Sequence, residues 1–402
     1  MSNKDDNLIK YTLRDDYAVL EKYHTDEKRV VIPDEIDGRP VKYIAPEAFE
    51  FNFSIEYVEL PSELKTIGDD AFLDSSLKTI RMSSAEHIGK NAFRNTNLET
   101  VNLPANLKTI GDGAFYETPL KSLKIDPNNE YFSVIDGVLY NKDITSLIIF
   151  PSNKYGNKKF DYKLPETTKE IGNYVFDNTA IRRIEIPCDL HTISDYAFYG
   201  CFALEELVLP EELRSIGNYA FGFSGLSQVM IPASTALIGK KAFCNCPLKR
   251  IDVDPDNPSY RSIDGVLLNK EATELIQYPA GDMERTTYEL PPSVRRIHNI
   301  AFEKSHLNEV VFNEGLYSIG IRAFESSALT RVSLPSTLTE LDNYVFLNCS
   351  NLVTLEASSN LKKIGIGVLN HCSSLKSLKV NASNLEEWQK QVPEGFTGIR
   401  TE

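Results

Sequence analysis

One dipeptide constrains this chain more than any other feature: Ala-Phe, or a close variant, returns every 21, 22 or 23 residues. It stands at Ala48-Phe49, Ala71-Phe72, Ala92-Phe93 and Ala114-Phe115, then at Val175-Phe176, Ala197-Phe198, Ala220-Phe221 and Ala242-Phe243. A third set is Ala301-Phe302, Ala323-Phe324, Val345-Phe346 and the more degenerate Val368-Leu369. From one set to the next the step is 61 and then 59 residues. A chain of 402 residues would otherwise suggest two or three globular domains. A fixed period of this length belongs to solenoids instead.

Each unit reads in columns. Three residues after the Phe stands a small side chain: Asn52, Ser75, Thr96, Thr118, Thr179, Cys201, Ser224, Cys246, Ser305, Ser327, Cys349 and Cys372. An apolar triplet follows, such as Leu98, Val101 and Leu103, or Leu204, Leu207 and Leu209. Its last two members are two residues apart and share one face of a strand. A proline such as Pro104, Pro210 or Pro335 closes it and ends strand pairing, having no N–H to donate. Then comes Ile-Gly, as in Ile67-Gly68, Ile110-Gly111, Ile216-Gly217 and Ile319-Gly320, read as a reversal needing positive φ. The stretch from there to Ala-Phe has room for about one helical or 3₁₀ turn. A lone unit buries too few side chains, at ~1.5–3 kcal/mol each, to offset ordering its residues at roughly 1.5 kcal/mol apiece. Neighbours must cover both of its faces.

Two insertions repeat each other. The first runs from Asp126-Pro127-Asn128 through Ile135-Asp136-Gly137-Val138-Leu139-Tyr140-Asn141 to Leu147-Ile148-Ile149-Phe150-Pro151. The second runs from Asp254-Pro255-Asp256 through Ile263-Asp264-Gly265-Val266-Leu267-Leu268-Asn269 to Leu275-Ile276-Gln277-Tyr278-Pro279. Two β-rich runs on either side of a polar Asn-Lys turn read as a β-hairpin. Each hairpin is expected to replace the helical turn of one extra repeat.

The combination L-x-x-I-x-L-P, I-G-x-x-A-F and I-D-G-V-L-Y-N resembles the BspA-type leucine-rich repeat proteins of bacteria and some protozoa, over about residues 8–381. The expected fold is a leucine-rich repeat solenoid: a right-handed stack of about 15 rungs with a parallel β-sheet, short helical or 3₁₀ turns and two β-hairpin insertions. The chain reads as one domain over 1–402, with an N-terminal β cap at 8–33 and repeats at 34–381. Hairpins occupy 128–160 and 256–287, and a C-terminal cap spans 383–402. In that cap Ser383-Asn384-Leu385-Glu386 has a capping-box pattern, starting a short helix that brings Trp388 over the last rung. The resemblance implies a cell-surface or secreted binder of host or neighbouring-cell proteins. Solenoids host many partners, so it does not name one.

Charge and chemistry narrow the function classes. With 43 basic against 57 acidic residues the net charge is -14, which repels phosphate backbones and disfavours nucleic acid. No apolar run reaches the roughly 18 residues of a spanning helix, so membrane insertion is not expected. The segment Met1-Ser2-Asn3-Lys4-Asp5-Asp6-Asn7 does not read as a signal peptide. That reading points to an intracellular scaffold, against the surface location the resemblance implies, and both stay open here. Six cysteines do not make a disulfide framework, and Cys244-x-Cys246 is too tight for zinc. The four cysteines in the small-residue column read as packing, and Cys188 and Cys244 as free thiols. Asp252, Asp254 and Asp256 alternate as in a calcium loop, but the first insertion keeps only Asp126 of them, which favours a turn. His24, His87, His191, His298, His306 and His371 fall at unrelated repeat positions. The expectation is a non-enzymatic protein with no cofactor or metal, binding a protein partner, with a carbohydrate as the alternative.

Two surfaces are candidates for that binding. One is the outward column of the strands, where Arg183, Glu206, Arg250, Glu309 and Arg331 alternate in charge beside the apolar Val208, Met230 and Val311. Mutual neutralisation between neighbouring rungs explains the charges equally well. The other is the run Tyr174, Tyr196 and Tyr219, at one position of three successive repeats. Tyrosine offers contact area at low entropic cost, which suits a glycan or a protein; its bland explanation is self-stacking that stiffens the turns.

Overall fold

The computed structural model describes residues 9–393 and 396–401. The reading of residues 1–7, and positions 8, 394, 395 and 402 of the expected caps, lie outside them. The chain forms two compact units, Met1–Ile181 with Asp189–Tyr199, and Arg182–Cys188 with Gly200–Glu402.

In the first unit the apolar triplet makes a short strand, and the strands of successive turns pair in parallel. Arg29–Val31, Tyr57–Glu59 and Thr79–Arg81 form one such run, and Thr100–Leu103 with Ser122–Ile125 another. Thr100–Leu103 alternates exposed and buried residues, which puts Val101 and Leu103 in the core. A second parallel run joins Ala18–Tyr23, Arg39–Ile44, Thr66–Ile67, His87–Ile88 and Thr109–Ile110. The second unit repeats the plan. Arg331–Ser333, Thr354–Glu356, Ser377–Val380 and Ile399–Thr401 pair on one side. Glu274–Gln277, Arg296–Ile297, Ser318–Ile319, Glu340–Leu341 and Lys363–Ile364 pair on the other. The described residues make about 17 turns, slightly more than the 15 rungs counted from sequence. Ladder strands at the chain's ends, Ala18–Tyr23 and Ile399–Thr401, were not in that count.

The stretch leading into Phe differs from the helical or 3₁₀ turn expected of it. Hydrogen bonds close it three residues apart, as from Leu73 N to Asp70 O and from Ser75 N to Phe72 O. Asp70 and Asp74, both at φ 55°, are left-handed and stop any helix from continuing. Alternate amides then bond to the next turn: Asp70, Phe72 and Asp74 donate to the carbonyls of Lys90, Ala92 and Arg94 at 2.8, 2.8 and 3.0 Å. This is a third ladder, and it stacks the Phe rings. Phe49, Phe72, Phe93 and Phe115 follow one another at centroid distances of 4.6, 5.3 and 5.2 Å. In the second unit Phe302, Phe324 and Phe346 do so at 4.8 and 5.5 Å.

The Ile-Gly glycines are also explained differently from the expectation. Positive φ falls on other columns, and Gly68, Gly89, Gly111, Gly239 and Gly365 are not among the left-handed residues. A Cβ at Gly89 would lie 2.5 Å from the Asp69 nitrogen, and at Gly239 2.4 Å from that of Asn218. Close approach of successive turns, not chain reversal, selects glycine there. Ser194, His298 and Asp342 hold the equivalent place elsewhere, so the squeeze is local.

Each insertion is a three-stranded meander and not a single hairpin. Phe132–Ile135 pairs antiparallel with Val138–Asn141, which pairs antiparallel with Ser146–Ile149. The first reversal is Asp136-Gly137, at φ 50° and 80°, in the middle of what reads as one run. Asp-Gly with both residues left-handed suits a two-residue hairpin turn. Tyr260–Ile263, Val266–Asn269 and Glu274–Gln277 copy the arrangement around Asp264-Gly265. The third strand, not a helical turn, enters the stack: Ser146–Ile149 pairs in parallel with Glu170–Ile171. A buried asparagine anchors each insertion. Asn129 Nδ2 donates to the carbonyls of Pro104, Ala105 and Leu107, and its Oδ1 accepts from the amides of Tyr131 and Phe132.

At the start, Ile9–Leu13 covers Ala18–Tyr23 by antiparallel pairing. At the other end a 3₁₀ turn, Ala382–Asn384, leads into the helix Leu385–Gln389 with Trp388 fully buried. The cap is Asn381, whose side chain accepts from Ser383 N, in place of the expected box starting at Ser383.

Candidate functional site

The outward column of strand residues lies in the second unit. Arg183, Glu206, Arg250, Glu309 and Arg331 are all exposed. Register places Gln228 beside Arg250 and Met230 beside Asp252, because Gln228–Ile231 and Arg250–Val253 pair in parallel. Residues 204–210 have no strand assignment, yet Ser227 N donates to Glu205 O at 3.2 Å, so Val208 and Met230 sit one turn apart. Val208 is 87% exposed, Met230 54% and Val311 45%. Their side chains point outward because period two sends Leu207, Leu209, Val229 and Ile231 into the core.

The charges in this column are used unevenly. Arg250 pairs with Asp252 of its own strand at 2.5 Å. Arg183, Glu206, Glu309 and Arg331 make no ion pair among the described residues. The first unit shows what neutralisation looks like: Glu59 holds Arg29 at 3.8 Å and Arg81 at 3.5 Å, and Arg29 lies over the Tyr57 ring. Such pairs contribute little, about 0–1 kcal/mol each, and mark the rung-to-rung alternative concretely.

The tyrosines occupy left-handed positions, at φ 60° for Tyr174, 58° for Tyr196 and 54° for Tyr219. In the first unit Tyr174 and Tyr196 stack at 4.9 Å with ring planes 11° apart, and Tyr116 leans on Tyr174 at 4.9 Å. In the second unit Lys241 stands over the Tyr219 ring at 5.4 Å. All three are half-buried.

The cysteine column packs as a hydrogen-bonded spine. Thr96 and Thr118 donate to the carbonyl of the Phe three residues earlier. Cys246, Cys349 and Cys372 donate to the Phe carbonyl of the previous turn, at 2.8, 3.0 and 3.1 Å. None of the six cysteines is in a disulfide. Burial pushes the thiols of Cys244 and Cys372 up to about 12 and those of Cys246 and Cys349 up to about 11. Cys188 alone is exposed. One thiol per native chain, at Cys188, is expected to react quickly with an alkylating reagent, and all six after denaturation. Peptide mass mapping after pulse labelling checks this; rapid labelling of Cys246 or Cys349 would show that the spine opens.

Three of the histidines have partners close by: His87 pairs with Thr109 and His298 with Glu274 on adjacent turns, and His191 pairs with Asp189 two residues before it. Asp254 caps its turn by accepting from Asp256 N at 2.9 Å, and Asp252 serves Arg250. Among the described residues no group of three or more His, Cys, Asp or Glu is placed to hold a metal ion. None of their helices is long and apolar enough to cross a membrane.

Parallel turns of 21 to 23 residues, a Phe spine and an exposed strand column define a leucine-rich repeat solenoid. The sequence matches the BspA type Leucine rich repeat region in six copies, over residues 28–135, 154–262 and 281–395. The chain belongs to that family. Solved structures with a similar fold include the pneumococcal vaccine antigen PcpA, at 24% identity over 94% of this chain and 81% of that one, TM-score 0.41. A leucine rich cell surface protein from Faecalibacterium prausnitzii is 20% identical over 96% and 97%, TM-score 0.45. A leucine-rich repeat protein from Bacteroides ovatus is 21% identical over 98% of each chain, TM-score 0.44. At these TM-scores the superpositions carry no functional argument. A search of the curated proteins found no match.

Proposed function

We propose that the protein is a non-catalytic interaction solenoid, an adhesin-like binder of proteins on host or neighbouring cells, acting through the outward strand column of its second unit. The observation that supports this most is Val208, Met230 and Val311 held in solvent by the strand period beside charges without ion partners. A mixed apolar and charged patch is what a protein partner desolvates, with the apolar centre contributing most.

The test is binding of the purified chain to intact neighbouring cells, compared with a Val208→Glu/Met230→Glu variant. Both positions are solvent-facing, so the variant folds as the parent does. A loss of about tenfold or more in affinity is expected, as is a similar loss for Arg183→Glu with Arg331→Glu. Unchanged binding in both variants would remove the column from the account. Protease shaving of intact source cells tests the location: peptides released from the meanders mean an external protein, and release only after lysis means an internal scaffold.

A further inference from the structure

The first meander interrupts the third ladder. It carries no Ala-Phe stretch, and among the described residues the amides of Gly113, Phe115 and Glu117 meet no backbone acceptor on the following turn. The carbonyls of Asn173, Val175 and Asp177 likewise receive no donor. The gap is a cleft of about 670 Å³ inside the first unit. Asp112, Glu117, Glu170 and Asp177 line it, with no Lys, Arg or His. The rings of Tyr116 and Tyr174, 4.9 Å apart, also border it.

Asp177 is the group without an explanation. It is 6% exposed. Its Oδ2 accepts from Asn178 Nδ2 at 2.8 Å, and its Oδ1 is buried with no donor at hydrogen-bond distance, the nearest hydroxyl being that of Tyr116, close enough to favour the charged carboxylate. A buried carboxylate oxygen left unpaired costs free energy unless something donates to it.

The second unit has the same junction with other residues. Counted from the Phe of each turn, Asn245 stands where Glu117 does, and Glu303-Lys304 where Asp177-Asn178 do. There the junction is closed. Asn245 Nδ2 donates to both Glu303 oxygens at 3.3 and 3.4 Å, and Lys304 Nζ donates to Asn245 Oδ1. The first unit has two acids and an amide where the second has an amide, an acid and an ammonium. Arg94 reaches Glu117 at 3.0 Å but does not line the cleft, and Asp177 Oδ1 still lacks a donor.

We propose that this cleft binds an organic cation, a primary ammonium or guanidinium group, which donates to Asp177 Oδ1 and lies between Asp177 and Glu117 beside the Tyr116 and Tyr174 rings. Cations favour such aromatic faces, and burial strengthens their pairing with carboxylate. The group is carried by a Lys or Arg side chain of a polypeptide or by a free amine. The site shares no residue with the strand column, so either proposal can fail alone.

Binding is pH-dependent. Burial lifts the Asp177 carboxyl to about 7, Glu117 adds to the rise, and Asn178, Tyr116 and Arg94 oppose it. Asp112, Glu170 and Tyr174 are the other titratable groups on the walls. A cation selects the charged carboxylate, so affinity falls as pH drops below about 7. Asp177 also has its folded value above the ordinary 3.8, so its contribution to stability is complete below about 4 and is lost as pH rises through about 7. Asp177→Asn is therefore expected to gain in melting temperature over the parent between pH 5 and pH 8.

The experiment is a calorimetric titration with acetyl-Gly-Lys-Gly-amide, its norleucine counterpart and n-butylammonium. Saturable binding of the lysine peptide at pH 8 is expected, weakened about tenfold at pH 5.5 and in Asp177→Asn, with none for norleucine. Tighter binding of the peptide than of butylammonium supports the site with a polypeptide as source; equal binding supports it with a free amine. Glu117→Asn with Asn178→Lys, which installs the amide, acid and ammonium of the second unit, is expected to abolish binding and raise the melting temperature. Absence of saturable binding by either cation, or equal binding by the parent and Asp177→Asn, overturns the proposal.

Discussion

Phe324→Ala is expected to lower the free energy of unfolding by about 3–5 kcal/mol, the largest effect of any single truncation in the second unit. The ring is fully buried between Phe302 at 4.8 Å and Phe346 at 5.5 Å, with the edge of Phe312 at 5.9 Å. Alanine removes the ring from both stacking contacts at once and leaves a cavity that the rigid turns on either side cannot fill. In a stack of repeats, stability is a sum of turn and interface contributions, so one lost ring weakens two interfaces. Phe202→Ala, at an exposed phenylalanine of the same unit, is expected to change stability by less than about 0.5 kcal/mol. Urea unfolding followed by circular dichroism compares the two; equal midpoints would mean that the rings do not hold the stack.

The second large effect is at Asn129. Its side chain makes five hydrogen bonds to backbone groups, three as donor and two as acceptor. Alanine would strand carbonyls of one turn and amides of the meander in an interior that water does not reach. At about 1–3 kcal/mol for each buried group left unpaired, partly recovered where the turn meets solvent, the expected cost is about 3 kcal/mol. The damage is local, so amide exchange at Phe132 is expected to accelerate before the rest of the unit changes. Asn128→Ala is the control: its side chain reaches only Asp126 in an exposed turn. Asn257→Ala tests generality, since Asn257 makes the same bonds to Pro232, Thr235, Ser259 and Tyr260 in the second unit. Protected exchange at Phe132 in the Asn129 variant would contradict the anchoring role.

Periodicity made most of the fold legible, because an error at one repeat is corrected by the others. The Phe column and the small-residue column took their expected places, as did the strand triplet except at Leu204, Leu207 and Leu209, whose leucines are buried without a regular strand. What periodicity could not show is why a column prefers its residue. Glycine after Ile reads naturally as a φ requirement, whereas its cause is a neighbouring backbone from 20 to 23 residues away. The left-handed positions carry residues as different as Asp, Asn, Glu, Tyr, Phe, Ile, Lys, Arg and Ser, so composition there gives little warning, although Asn and Asp tolerate that conformation best. The Asp136-Gly137 turn is a hairpin signal masked in the sequence by the apolar residues that run together around it. Asp177 had no sequence signal at all. An acid also stands there at Glu303, where Asn245 covers it, and Asp177 matters because the meander removes the turn that would have covered it and Glu117 stands in place of that asparagine.

The central claim is that three hydrogen-bonded ladders, not two, hold successive turns together. Backbone hydrogen exchange measured residue by residue tests it directly. The account predicts that the amides of Phe72, Phe93, Phe302 and Phe324, which bond to the next turn at 2.7 to 2.9 Å, exchange as slowly as the strand amides of Val101 and Val332. Exchange of those phenylalanine amides at the rate of an unfolded chain, with the strands still protected, would contradict it.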